Sequence, residues 1–544
     1  MASVIEENTP TAAIAPAPAK AANSRSPDFV PLPMKTKFSM GIGESVQATY
    51  TVICGFFLNA YLLEIACLSP ESVGMIQLVV GVVAALGDPF VGFLSDRTRT
   101  RWGRRRPWLL FASLPLGCFY FGIWNTLPAD VSETGRFAFY LAMYLGISIG
   151  ITCIQVQVGA LVPELTMDYD ERTALSVYRL GIGNIIGLIG VLVHSAIVSA
   201  YTVDEEGVTG YRIAGFIFGV WMTTAGWATF VNIKESFNCD LETEEQLGFF
   251  EGLKIVFQNR AFLIVVAIYL CGPTAVSIVQ TNMLLYVKYV NNDVDMMNTC
   301  IMCIQGAAII MMPFWNWVGQ KWGKKAMYYL GGTVLMCAFP VLYFFESKFV
   351  TYGVSIVAGT CISVPYVIPY SMLPDVIEED ERRTGKRREG IYFGFFTVFL
   401  KLSVTCAFAG TNFALGAAGY VPPRSTCSGG DAENAIDLPD VQPELVMNTM
   451  KFLIGPVPGF FFALAVYFVW LFPITKEMHE ENTKQVLKER NRRSVILDKA
   501  KMDELAKKLE NGNGNGNKNG SGNGTDLEEV QLTMKGEDMG EKAL

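Results

Sequence analysis

The sequence predicts an all-α membrane protein of twelve transmembrane helices in two six-helix halves, and three observations carry that reading. Of its 544 residues, 51% are hydrophobic and only 17% are charged, against roughly 25% charged in soluble domains. The charges fall in a few loops and in the tails, separated by long uncharged stretches. Two loop motifs occur twice, once in each half of the chain. A solvent-exposed globule is excluded. The net charge of −8 lies largely in tails and loops, and nothing in it suggests a nucleic-acid partner.

A bilayer core takes about 20 apolar residues per crossing helix, and helices are the open-ended solution in lipid. Runs of that length occupy 38–66, 72–95, 107–127, 136–163, 174–201, 211–232, 261–290, 296–318, 326–346, 349–375, 390–415 and 446–473. Basic residues collect in alternate loops: Arg97, Arg99, Arg101, Arg104, Arg105 and Arg106 after the second run, Lys321, Lys324 and Lys325 after the eighth, and Arg382, Arg383, Lys386, Arg387 and Arg388 after the tenth. The positive-inside rule then places both termini in the cytoplasm, in the plasma membrane or, alternatively, an endomembrane. The expected organisation is a disordered tail (1–37), a first half (38–232), a cytoplasmic linker (233–260), a second half (261–475) and a second tail (476–544). In that tail, 484–510 reads as a basic amphipathic helix, either on the inner leaflet or solvated, and 511–524 as a flexible linker. The N-terminus has no charged segment leading into an apolar one, so no cleaved signal peptide is expected.

The repeats organise the two halves. Trp102-Gly103-Arg104-Arg105 returns 220 residues later as Trp322-Gly323-Lys324-Lys325. Pro163-Glu164, with Asp168, Asp170, Arg172 and Thr173, returns as Pro374-Asp375 with Glu379, Glu381, Arg383 and Thr384. Two six-helix halves that share loop chemistry are the signature of a major facilitator transporter, with the substrate near the midplane between them. Asp96, Arg97, Arg104 and Arg105 are candidates for an inner gate. Asp170 and Arg172, and Asp375, Glu381 and Arg383, lie in the acidic-basic clusters expected to partner them. Orientation by positive charge alone is the plainer reading of the same arginines.

A small set of charges lies inside the runs. Asp88, in Gly87-Asp88-Pro89, is a carboxylate at membrane depth, where insertion costs roughly 2.5–3.5 kcal/mol, so a cation or proton site is the default reading. A cap at a proline-weakened turn is the alternative. Lys401 is mid-span and needs a partner, either a carboxylate across the cleft or an anionic substrate group. Arg179 and Glu44 lie nearer the inner ends of their spans, and His194 reads as a packing histidine. Gln155, Gln157, Asn184, Gln280 and Asn282 serve either interhelical bonding or substrate contact. The twelve cysteines lie mostly within apolar segments, and Cys300-x-x-Cys303 has no second pair for a metal. Only Cys427 falls in an expected outer loop, so no outer disulfide is expected. No nucleophile–base pair or metal constellation appears, which argues against an enzyme or a resident cofactor.

The string from Asp88 to Arg97 (Asp88-Pro89-Phe90-Val91-Gly92-Phe93-Leu94-Ser95-Asp96-Arg97), followed by Arg101-Trp102-Gly103-Arg104-Arg105-Arg106-Pro107-Trp108, resembles the glycoside–pentoside–hexuronide:cation symporter family. So do Asp168-Tyr169-Asp170-Glu171-Arg172-Thr173 and Thr384-Gly385-Lys386-Arg387-Arg388-Glu389-Gly390. Gly55-Phe56-Phe57-Leu58, Trp315-Asn316-Trp317 and Pro369-Tyr370-Ser371-Met372-Leu373-Pro374-Asp375 look most like its branch of sodium-dependent lysophosphatidylcholine symporters. The resemblance spans about residues 38–480.

It implies that Asp88 is the cation-site aspartate, and that Arg179 and Lys401 serve the lipid headgroup or gating. It also implies a second aspartate where this chain has Ala84, a helix-four acid where it has Gln155, a stacking aromatic where it has Gly159 and a sugar-binding aspartate where it has Ala48. Those departures argue against a galactoside, and the missing acid at Ala84 leaves proton coupling beside sodium. The outer disulfide that the branch implies is expected to be absent.

The sequence therefore predicts a cation-coupled symporter for a lysophospholipid, with a sugar symporter as the alternative. Its cation site is Asp88 with Gln155, and Lys401, Arg179 and Glu44 contact the substrate. Membrane lipids are its other partners, and it is expected to act as a monomer.

Overall fold

The computed structural model describes residues 32–128, 130–166, 169–201, 208–235, 249–293, 296–384, 388–422 and 442–473, with Met478 and Gln485. Most of both expected tails, the segment 511–524 and all of 484–510 except Gln485 lie outside the described residues, as do Asp168, Cys239 and Cys427.

Helices make up nearly all of the described chain. We number them α1 (Met34–Glu64), α2 (Pro70–Arg97), α3 (Arg106–Ile123), α4 (Glu133–Leu165), α5 (Tyr169–Ala200), α6 (Val208–Asn232), α7 (Phe249–Gln258), α8 (Arg260–Tyr289), α9 (Met296–Gly319), α10 (Lys321–Phe344), α11 (Lys348–Thr384), α12 (Glu389–Ala417) and α13 (Glu444–Leu471). Side-chain oxygens of Ser69, Ser132 and Asn259 accept the N–H groups of Ser72, Gly135 and Phe262, starting α2, α4 and α8. Prolines lie inside several spans, including Pro89, Pro163 and Pro273. They are tolerated because neighbouring helices and side chains re-satisfy the freed carbonyls.

Among the described residues, eleven helices are long and apolar enough to cross a membrane, where the sequence reading expected twelve. The difference is α3, which has 18 residues and opens on Arg106 and Pro107. Arg106, Pro107 and Pro115 make it less apolar than the other eleven.

The helices form two groups. Within the first, α1 packs on α5 and α6, α3 on α4 and α6, and α2 on α4. Within the second, α8 is the centre, touching α11, α12 and α13, while α10 and α11 pack together. The groups meet along three lines: α2 with α12, α1 with α8, and α5 with α9.

The α2–α12 line shows which end is closed. Antiparallel partners follow one another from Gly416 against Glu71, through Gly74 against Phe413 and Gly81 against Thr405, to Asp88 against Lys401. The next pair in register is Gly92 and Gly394, and a Cβ added to either would meet open space. The α5–α9 line behaves likewise. Ser195 and Ser199 bond Asn298 near one end, whereas Gly181 and Gly306 face open space further along. Both lines therefore part toward the end that carries the arginine loop.

At the opposite end, Lys288 donates to Glu64 at 2.9 Å, joining the tips of α8 and α1. Asn59, Gln77 and Asn412 form a buried polar knot between α1, α2 and α12, with bonds of 2.8–3.2 Å. Cys67, just beyond α1, is disulfide-bonded. The other nine described cysteines are free, so its partner lies outside the described residues. This corrects the expectation that no outer disulfide forms. Cys67 sits one residue past an apolar run, and the sequence reading counted it with the span.

The repeated loop motif adopts the same backbone twice. Gly103 has φ +105° and Gly323 has φ +84°, a region that L side chains enter only with strain. A Cβ on Gly103 would also clash with the Glu235 carboxylate. Gly323→Ala is expected to cost roughly 1–2 kcal/mol, and Gly103→Ala more. Thermal unfolding of the detergent-solubilised variants checks this, and a Gly103→Ala protein as stable as the parent would contradict it.

Candidate functional site

A cavity of about 280 Å³ lies between the two groups, just on the closed side of the point where α2 and α12 part. Tyr50, Val80, Leu400, Val404 and Phe408 supply much of its wall, with Gln47, Gln77, Gln155 and Gln280 as amide groups and Lys401 as its one cation among the described residues. The predominance of apolar wall follows from lipid-compatible helices. The polar groups are what remain to orient a solute.

Lys401 and Asp88 stand at the edge of this cavity. The ammonium Nζ donates to Asp88 Oδ1 at 2.6 Å and to the Ala84 carbonyl at 3.4 Å. Both side chains are only about a fifth exposed, at 24% and 21%. Of the two partners the sequence left open for Lys401, the carboxylate is the one present. Pro89 follows Asp88 directly and cannot donate to the Ala85 carbonyl one turn back. The pair thus lies on a locally weakened turn of α2.

Arg179 on α5 pairs with Glu44 on α1 at 3.3 Å. The two residues singled out separately in sequence therefore neutralise one another. Gln155 lines the cavity, and its Oε1 makes no hydrogen bond among the described residues. His194 is fully buried among Phe57, Trp124, Tyr211 and Phe218, as a packing histidine would be.

With the cleft open at this end, the loop charges pair with acids close at hand. Arg105 bonds Asp96 at 2.6 Å and Glu164 at 3.1 Å, and Arg104 bonds Glu164 at 2.6 Å. Glu235, at the start of the linker, accepts the backbone N–H groups of Arg104, Arg105 and Arg106 at 2.6–2.7 Å. Arg97 lies over the Phe93 ring at 3.8 Å. In the second group, Lys324 donates to both Asp375 oxygens at 2.7–2.8 Å, the counterpart of Arg104 on Glu164.

All of these bonds stay within one helical group. Arg172 donates to the Thr166 carbonyl, Arg383 pairs locally with Glu379, and Glu381 lies in the last turn of α11. The side chain of Asp170 lies outside the described residues. Glu171, the acidic residue of that cluster whose side chain is described, bonds Lys37 at 2.9 Å. Two partners were missed in sequence. Glu235 sits in a linker with many acids and no pattern to single it out, and Glu64 looks like an ordinary helix-end charge until α8 brings Lys288 beside it.

Removing one member of the Asp88–Lys401 pair strands the other charge away from water. Lys401→Ala or Asp88→Asn is therefore expected to destabilise the protein by about 2–3 kcal/mol. The combined Asp88→Asn/Lys401→Ala protein should lose less than the sum of the two single variants. A thermodynamic cycle from thermal unfolding measures the coupling, and strict additivity would contradict the pair.

Comparisons with known proteins place this geometry. The family described as MFS/sugar transport protein matches residues 39–476. The sodium-dependent lysophosphatidylcholine symporter 1 of Gallus gallus is 27% identical over 86% of this chain and 92% of its own length. The sphingosine-1-phosphate transporter MFSD2B of Xenopus tropicalis is 28% identical over 86% of this chain and 93% of its own length. Among solved structures, a bacterial homolog of the human lysosomal transporter Spinster, inward-facing and unoccupied, superposes with a TM-score of 0.57 at 11% identity, covering 82% of this chain and 97% of that one. That likeness bears on the fold alone. With eleven membrane-length helices and a central cavity between two helical groups, the chain is a multi-pass membrane transporter and belongs to the MFS/sugar transport protein family.

Proposed function

We propose that this protein is a cation-coupled symporter that carries a lysophospholipid by alternating access. Its twelve spans, α3 included, are arranged as two six-helix halves, 38–232 and 261–475, joined by the linker 233–260. Both termini are cytoplasmic by the positive-inside rule. The reading is supported chiefly by the Asp88–Lys401 pair, a carboxylate and an ammonium held at the edge of a mostly apolar cavity. Asp88 holds the coupling cation, sodium or a proton, with Gln155 nearby on the cavity wall. Lys401 or Arg179 meets the phosphate of the substrate, with Glu44 paired to Arg179, and the apolar wall takes the acyl chain.

The names of the relatives point the same way: one moves lysophosphatidylcholine with sodium and another sphingosine-1-phosphate. Both solutes join a phosphate to a single long chain. A sugar is the second reading, favoured by the family description and by the four cavity glutamines Gln47, Gln77, Gln155 and Gln280. It is the weaker one because a sugar needs polar partners on most faces.

Gating follows from charge anchored at the open end. Asp96, Arg97, Arg104, Arg105, Asp170 and Arg172 lie on the first group, and Asp375, Glu381 and Arg383 on the second. The Arg104–Glu164, Arg105–Asp96 and Lys324–Asp375 pairs hold each loop to its own half, so that the halves rock as units, and the gate residues approach one another when the cavity turns outward. In the state described, the Glu64–Lys288 contact closes the other side.

Uptake of labelled lysophosphatidylcholine and of labelled hexoses, with a sodium or a proton gradient, tests the proposal in cells expressing the chain at their surface. Lysolipid uptake that needs one gradient, and loses its dependence on that gradient in Asp88→Asn, is the expected result. Hexose uptake without lysolipid uptake would establish the second reading, and uptake of neither would overturn both.

A further inference from the structure

A second concavity lies on the outside of the first helical group, away from the transport cavity. It is a groove of about 850 Å³ between α3 and α4, roofed by the end of the arginine loop. Its floor is apolar, with Phe111 and Phe119 from α3 and Leu145 and Ile149 from α4, and its few polar groups are at the mouth, where Thr98 accepts the Trp108 indole N–H at 3.1 Å. Phe111 and Ile149 are 65% and 52% exposed, so the groove faces outward from the bundle.

Two dimensions define what fits it. From Pro107 to Phe119 the lining of α3 runs about 18 Å along the helix, close to one leaflet of a hydrocarbon core of about 30 Å. The mouth is positively charged. Arg104 and Arg105 are neutralised by Glu164 and Asp96. Arg97, Arg99 and Arg101 are exposed and make no ion pair with a carboxylate among the described residues. Arg99 donates only to backbone carbonyls, and Arg101 lies over the Trp102 ring. Uncompensated guanidinium groups beside an indole, at the head of an apolar groove one leaflet deep, match a lipid with an anionic headgroup.

We propose that this groove is a binding site for an anionic phospholipid, with one acyl chain between α3 and α4 and the phosphate at Arg99 and Arg101. By the positive-inside rule its leaflet is the cytoplasmic one, where anionic lipids are concentrated. The bound lipid braces the arginine loop, which Glu235 already ties to the end of α6.

Native mass spectrometry of the full chain, titrated with phosphatidylglycerol or with phosphatidylcholine of the same acyl chains, tests the site. The parent protein is expected to hold one phosphatidylglycerol at least about tenfold more tightly than phosphatidylcholine. Arg99→Gln/Arg101→Gln, at exposed loop positions, should abolish most of that preference while leaving phosphatidylcholine binding unchanged. Ala112→Trp, which fills the groove, should weaken both lipids at this site. Equal binding of the two lipids by the parent, or a preference that survives Arg99→Gln/Arg101→Gln, would overturn the proposal. Should Ala112→Trp fail to fold, the loop variant decides the question alone.

Discussion

The ion pair between Asp88 and Lys401 is the constraint on which the arrangement around the central cavity depends. A charge at membrane depth must be compensated, and the most direct compensation is an opposite charge held at hydrogen-bond distance. At 2.6 Å the pair also sets the geometry around it. It is the last contact between α2 and α12 before they part, so it marks the boundary between the packed and the open portions of the molecule. Any group that binds one member of the pair changes the environment of the other. On the proposed function, a cation and an anionic solute would communicate through this single contact.

The remaining membrane charges follow the same economy. Arg179 and Glu44 compensate one another across α5 and α1, and Lys288 and Glu64 across α8 and α1. The first pair lies within a helical group and the second between groups. Only a contact of the second kind must break if the groups are to separate at the closed end. The Asn59–Gln77–Asn412 knot is likewise shared between groups. Its amide hydrogen bonds can exchange for water at small net cost, which suits an interface that alternates.

Loop chemistry supplies rigidity at the other end. In each repeat a glycine at positive φ turns the chain so that the next basic residue reaches an acid on a neighbouring helix: Arg104 to Glu164, and Lys324 to Asp375. The carboxylate of Glu235 fills the backbone N–H groups that begin α3, as a negative charge at a helix N-terminus should. These bonds tie loops to helices of their own group. The arginine loop therefore moves with the first group and presents a fixed charged rim to the cleft and to lipid.

The sequence by itself determined what local physics decides. The length of the apolar runs announced a membrane, since a backbone in lipid must satisfy its own hydrogen bonds. The Trp-Gly-basic motif announced the repeat, since only glycine takes that turn cheaply, and Gly103 and Gly323 adopt it. Asp88 and Lys401 stood out because charge in an apolar run has no neutral explanation. Partner choice was not legible, because it depends on which helices lie side by side. Lys401 faces Asp88 from 313 residues away, and Glu235 caps a helix whose sequence says nothing of it. The disulfide at Cys67 and the groove between α3 and α4 are of the same kind. Each is a relation between separate segments, whose side chains only the tertiary packing brings together.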